Sequence, residues 1–315
     1  MNRAHRIASA SVLLLATCQF AAAATYVLPV VVRGTQGAAG SYWDSEVRII
    51  RLDMQNPLTV RRAWVALKGG GFTDDPSTAP TWTLPPPNGQ SYDYRMLLLT
   101  GSELMAGVPD SHAAIGLEID GPVKVMLHNA NTEGQPRIPT FGDYWTCCLP
   151  GNGHMAVAAT QLLVGPSYIP WATSSGTESP FRTNVGFINP GTSPLHLHVR
   201  VFPLFPHPTQ RPPIETPYWY QSGFDSYTSA LQPELDVDLP PLGWLQVNDI
   251  FANLQACTWA NGCWPLVIPQ PSLIQINPQG SNGYLAYATP IYTPKNDPEF
   301  IWAEPGDMSL PAPPP

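Results

Sequence analysis

His196 and His198 stand two positions apart, a spacing that puts both imidazoles on one face of a β-strand, where they could share a metal ion with His207 as a third ligand. The same run carries Leu195, Leu197, Val199 and Val201 in the alternate register, so the histidines also read as the solvent side of an amphipathic strand. That second reading accounts for the whole run and is the stronger. Asp236 and Asp238 are likewise two apart. Glycoside hydrolysis needs two carboxylates facing each other across a cleft, and two on one strand face are better explained as a solvated acidic surface. The Glu234-to-Asp238 carboxylates and Asn296-Asp297 have the oxygen chemistry for Ca²⁺ but lack a twelve-residue binding loop. Gly-x-Ser-x-Gly, His-Glu-x-x-His and Ser-x-x-Lys patterns do not occur. Ser102, in Thr100-Gly101-Ser102-Glu103, fits a helix start better than a nucleophile. No catalytic residue and no cofactor are assigned.

Aromatic side chains are the best binding candidates. Trp82, Tyr92 and Tyr94 fall in one Pro-rich stretch, and Tyr218, Trp219 and Tyr220 in another. Rings on loops stack on sugars or anchor protein contacts, because they bury much area at little entropic cost. The competing reading, which weighs more, is that they fold back to cover a sheet edge or an interface between domains.

Those stretches lie within a chain of short strands. Charged residues are 12% of the 315, about half the usual ~25%, while 38 prolines and 25 glycines are spread throughout. Such punctuation cuts helices short and suits strands joined by turns. The N-terminus carries Arg3 and Arg6, an apolar run from Ile7 to Ala16, and Ala21-Ala22-Ala23-Ala24 before Thr25. That is the pattern of a secretory signal peptide cut after Ala24, and the apolar run is short for a membrane anchor. A lipoprotein cut at Cys18 is the alternative, with Thr17 a poor residue before it. No other segment is apolar and long enough to span a bilayer as a helix. Losing Arg3 and Arg6 takes the net charge from −8 to −10, which disfavours nucleic acid as a partner. The four cysteines of the mature chain, Cys147, Cys148, Cys257 and Cys263, read as disulfide formers in an exported protein. Cys257 with Cys263 would close a small loop, a bond between adjacent Cys147 and Cys148 would be strained, and cross-pairing between the two clusters is the other arrangement.

The chain repeats itself. Trp43, Ser45 and Val47 match Phe181, Thr183 and Val185 at an offset of 138. Both runs alternate as half-buried strands. A Pro-Leu step follows in each copy, Pro57-Leu58 and Pro194-Leu195. Then come an irregular aromatic excursion, a returning strand and one helical turn: Thr100 and Glu103 have capping-box spacing, and Asn248-Asp249 starts Ile250 to Leu254. Asp120-Gly121 aligns with Asn282-Gly283, and Pro136 with Pro298, at an offset of 162. The expected fold is all-β: two tandem β-sandwich (Ig-like) domains at 25–145 and 160–305, each with one helical turn. They follow a signal peptide at 1–24, are joined by a Cys/Gly-containing linker at 146–159, and precede a Pro-rich tail at 306–315.

Phe181-Arg182-Thr183-Asn184-Val185-Gly186-Phe187-Ile188-Asn189, Trp244 to Phe251, and Gly283-Tyr284-Leu285-Ala286-Tyr287-Ala288 leading to Asn296-Asp297-Pro298 resemble a family of poorly characterised secreted bacterial β-sandwich repeat proteins. The resemblance implies extracellular β-rich modules and carries no activity or site residues. The first copy departs from it, with Trp43-Asp44-Ser45-Glu46 in place of the Arg-Thr-Asn pattern. Together these features predict an exported, extracellular or periplasmic protein with a non-enzymatic binding or structural role, its partner a polysaccharide or another envelope protein. The alternatives are an envelope-acting hydrolase with a site between the domains and a pilus-type subunit or chaperone.

Overall fold

Strands rich in Val, Ile and Leu, cut at Gly and Pro, dominate the computed structural model. It describes residues 23–36, 42–86, 95–131, 153–172, 181–203, 234–253, 255–258, 262–265, 272–292 and 297–306. The first half holds β1 (Ala24–Val32), β2 (Thr35–Gln36), β3 (Tyr42–Arg51), β4 (Leu58–Ala66), β5 (Phe72–Thr73), β6 (Thr81–Leu84), β7 (Met96–Thr100), the short helix α1 (Gly101–Leu104), β8 (His112–Asp120), β9 (Val123–Asn131) and β10 (Gly153–Val157). The second half holds β11 (Ser167–Ala172), β12 (Phe181–Asn189), β13 (Leu195–Pro203), β14 (Glu234–Leu239), β15 (Gly243–Val247), α2 (Ile250–Asn253), β16 (Gln255–Thr258), β17 (Gly262–Pro265), β18 (Ser272–Gln279), β19 (Leu285–Tyr292), β20 (Asp297–Pro298), β21 (Ile301–Trp302) and β22 (Glu304–Pro305). The fold is thus predominantly β. Among the described residues no helix is long and apolar enough to cross a membrane.

Among the described residues, four five-stranded antiparallel sheets and the two-stranded hairpin of β16 and β17 result. Sheet I runs β10-β9-β3-β2 with β7 also on β3, and sheet II runs β1-β8-β4-β5 with β6 also on β4. Sheet III runs β15-β12-β19-β20 with β21 also on β19, and sheet IV runs β14-β13-β18-β11-β22. The two halves share their strand order. β8 lies between β1 and β4 as β18 lies between β11 and β13, while β3 is flanked by β7 and β9 as β12 is by β15 and β19. Both short helices follow the equivalent strand. At α1 the Thr100 hydroxyl accepts from the Glu103 amide, and the Glu103 carboxylate accepts from the Thr100 amide, forming a capping box.

Three apolar cores separate the layers. Val47, Ile49, Leu127, Ile115, Leu117 and Val60 fill the space between sheets I and II. Val185, Phe187, Ala286, Leu197, Val199 and Ile274 fill that between sheets III and IV. A third core joins the halves: Val27, Val30, Val32 and Ala114 on the outer face of sheet II meet Ile188, Trp244, Leu285 and Tyr287 on the outer face of sheet III. The layer order is therefore I, II, III, IV, and both inner sheets are buried on both faces. This changes one sequence expectation. β3 alternates as a half-buried strand, but β12 is buried at every position from Thr183 to Asn189, because its second face packs against the other half.

Glycines let aromatic rings lie flat at this inner interface. A Cβ on Gly116 would stand 2.2 Å from Trp64 Cε2, and one on Gly186 would stand 2.0 Å from Tyr287 Cζ. Tyr287 stacks on Phe300 with centroids 5.1 Å apart, and Trp244 Nε1 donates to the Tyr287 hydroxyl at 3.3 Å. Backbone bonds cross as well: Leu67 N–H donates to Leu242 O at 3.1 Å, and Trp244 N–H to Leu67 O at 2.9 Å. The segment expected as a linker at 146–159 departs from that role. Residues 153–157 form β10, which pairs with β9 and so covers an edge that would otherwise stay open.

Candidate functional site

A recess lies where the two halves meet. It is a cleft of about 430 Å³. Thr25 and Val27 of β1 and Trp64 of β4 contribute from the first half, and Thr160 and Leu162 from the segment after β10. Pro190, Gly191, Thr192 and Ser193, after β12, and the turn residues Asn282 and Gly283, before β19, complete it. None of these side chains is ionisable.

Each wall is fixed by bonds of its own. Val27 and Ala159 exchange two backbone hydrogen bonds, Val27 N–H to Ala159 O at 2.8 Å and Ala159 N–H to Val27 O at 3.1 Å. Leu163 and Tyr284 exchange another two, at 2.8 and 3.0 Å. The Tyr284 hydroxyl donates to Gly165 O at 3.0 Å and meets Ser167 Oγ at 2.8 Å, and burial pushes its pKa up to about 12. The loop at 190–193 is held by buried Asn189. Its Nδ2 donates to Ser193 O and Pro240 O, both at 2.8 Å, and its Oδ1 accepts from Gly191 N–H at 3.0 Å. Leu242 adds a bond from its N–H to Gly191 O at 2.9 Å while sitting at φ 48°, a left-handed conformation uncommon outside glycine. Gly283 lies so close beneath Leu162 that a Cβ there would come within 2.9 Å of Leu162 Cδ1. The cleft is a preformed recess with hydroxyls, one carboxamide and one indole for contact.

The histidines lie on the outer face of sheet IV, as the alternation predicted, and form part of a ladder. His196, His198 and Arg200 of β13 stand opposite Asp238, Asp236 and Glu234 of β14. His196 Nδ1 meets Asp238 Oδ1 at 2.6 Å, and His198 Nδ1 meets Asp236 Oδ1 at 2.8 Å. Arg200 Nε donates to His198 Nε2 at 3.1 Å, so the His198 proton sits on Nδ1 and points at Asp236. The hydrogen bond to Asp238 raises the pKa of His196, and the hydrogen bond from His198 lowers that of Asp236. His207, the third ligand of the expected metal site, lies outside the described residues, and among the described residues no group of three or more His, Cys, Asp or Glu side chains is arranged to hold a metal.

His196 and Asp238 also border a second recess of about 440 Å³, together with Pro194, Leu195, Leu239, Pro240 and Gln279. A His–Asp pair can orient a general base, but that wall offers no hydroxyl or thiol for it to activate. The Asp238 side chain is 86% exposed, so water is not excluded.

Trp82 lies half-buried in β6, packed against the first core. Tyr92, Tyr94, Tyr218, Trp219, Tyr220, Cys147, Cys148 and His207 lie outside the described residues. Cys257 and Cys263 are direct partners across the hairpin of β16 and β17. The cleft residues were not singled out from sequence as a site. Five separated segments build it, and their only local signals are the turn pairs Asn189-Pro190 and Asn282-Gly283. Comparison with known proteins finds no family model, no curated protein and no solved structure that matches this chain.

Proposed function

We propose that this chain is an exported, non-catalytic protein of the cell envelope or exterior, built from two tandem β-sandwich modules of Ig-like type, that acts by binding at their junction. The observation that carries this reading is the cleft between the halves, rigidly walled and, among the described residues, lined without an ionisable side chain. Acid–base, nucleophilic and metal-assisted hydrolysis all need such a group at the reacting atom. Recognition needs only shape, hydrogen-bonding groups and an apolar surface, and these are what the cleft offers. The module assignment is supported by the duplicated strand order and the paired sheets around separate cores. Export is supported by the leader pattern before Thr25.

The test uses the full gene product in a bacterial host. N-terminal sequencing of the exported chain should read from Thr25. That chain should be retained on the host envelope or on insoluble polysaccharide without releasing soluble fragments. Release of fragments would replace binding with hydrolysis, and absence of retention on any surface would remove the reading.

A further inference from the structure

We propose that the junction cleft binds an uncharged sugar residue, with Trp64 as its stacking surface and the Thr25, Thr160, Thr192, Ser193 and Asn282 side chains as hydrogen-bonding partners. The inference rests on the binding reading above and names the ligand class for that site. One face of the Trp64 indole is taken up by Gly116 and the ring also packs against the third core, so it is held in place where it lines the cleft. Sugars present an apolar face of C–H groups and a rim of hydroxyls. An indole suits the first, and short hydroxyl and carboxamide side chains suit the second. Val27 and Leu162 extend the apolar floor.

The alternatives fit less well. An anionic or cationic ligand would be desolvated with no countercharge among the described lining residues, a costly arrangement. An extended peptide would bind by adding a strand to a free backbone edge. Here the adjoining backbones are already joined to each other at the Val27–Ala159 and Leu163–Tyr284 pairs. A volume of about 430 Å³ lies within the range of small-molecule sites. The bonds that fix the loop at 190–193 mean that little ordering cost falls on binding.

The experiment is calorimetric titration of the exported full chain with cellobiose, maltose and N,N′-diacetylchitobiose. Digalacturonate and trialanine serve as the charged and peptide probes. At least one neutral disaccharide should bind, and neither of the other probes should. A Thr192→Val/Ser193→Ala variant removes two exposed hydroxyls with little change of shape. It should melt as the wild type does and bind about tenfold more weakly, as expected for two lost hydrogen bonds. Trp64→Ala should abolish binding, and Trp64→Phe, which keeps an aromatic face for the inner core, should recover part of it. Preference for digalacturonate or trialanine, undiminished affinity in the double variant, or no heat with any neutral disaccharide would overturn the proposal. If the chain is still retained on the envelope in that last case, the sugar assignment falls and the binding reading stands. If retention is lost as well, both fall.

Discussion

Asp238 and His196 show how a residue pair that looks chemical can serve the sheet that carries it. The hydrogen bond to Asp238 raises the His196 pKa, so protonated His196 is favoured in the folded chain. Its stabilising contribution is fully present below about pH 6.5, the unfolded value, and is lost as the pH rises through the higher folded value. The sign reverses for Asp236, whose pKa is lowered by His198: its contribution holds above about pH 4 and is lost as the pH falls through the lower folded value. The ladder is therefore at full strength between about pH 4 and 6.5. An NMR titration should place the His196 midpoint above the usual histidine value, and Asp238→Asn should bring it back down. An unchanged midpoint in that variant would show that the pair does not form in solution. At the inner interface, Gly186→Ala should destabilise the fold by roughly 1–3 kcal/mol, because the new methyl must displace the Tyr287 ring. Chemical denaturation reads this directly, and a loss below a few tenths of a kcal/mol would mean that the ring moves freely.

The hairpin of β16 and β17 carries the clearest prediction at the scale of elements. Cys257 and Cys263 are directly opposed in an antiparallel pair. Opposed Cα atoms there lie about 4.5 or 5.5 Å apart, and both spacings fall within the range a disulfide spans. Non-reducing peptide mapping of the chain produced under oxidising conditions should find these two linked, and reduction should cost about 2 kcal/mol for so short a loop. Linkage of either to Cys147 or Cys148 would contradict the pairing. Much at this scale was legible in the sequence. The alternation in β3 and β13, the helix start at Thr100 and the turns at Asp120-Gly121 and Asn282-Gly283 all declare themselves through local rules of period and capping. The apolar run of β19 is also visible, but a run alone does not say what lies against its second face, and β12 reads as an alternating strand although both its faces are covered. β10 follows a Cys- and Gly-containing stretch and pairs with a strand more than twenty positions earlier, a partnership set by the open edge of β9 rather than by its own residues. The cleft was illegible for the same reason: Trp64, Thr160, Thr192 and Asn282 meet only through tertiary packing.

At the scale of the whole molecule the third core makes the halves interdependent. Separating them would expose Val27, Val30, Val32, Trp64, Ile188, Trp244 and Tyr287 together. The full chain should accordingly unfold in one calorimetric transition, and a fragment ending near 165 should bind hydrophobic dye or aggregate. Two resolved transitions, with a soluble and monomeric fragment, would refute that coupling. The way the halves meet has a further consequence. Each half contains one sheet of the β1-β8-β4 kind and one of the β3-β7-β9 kind, and the contact joins the first kind from one half to the second kind from the other. Such a head-to-tail contact has no symmetry that closes it, so in principle it could be repeated from one molecule to the next as a filament. The terminal sheets turn this off. Sheet I shows Glu46 and Arg48 outward, and sheet IV shows the His–Asp rows with Asp236 62% and Asp238 86% exposed. These surfaces act as end caps on a stack of two, in the way polar terminal repeats keep a solenoid finite.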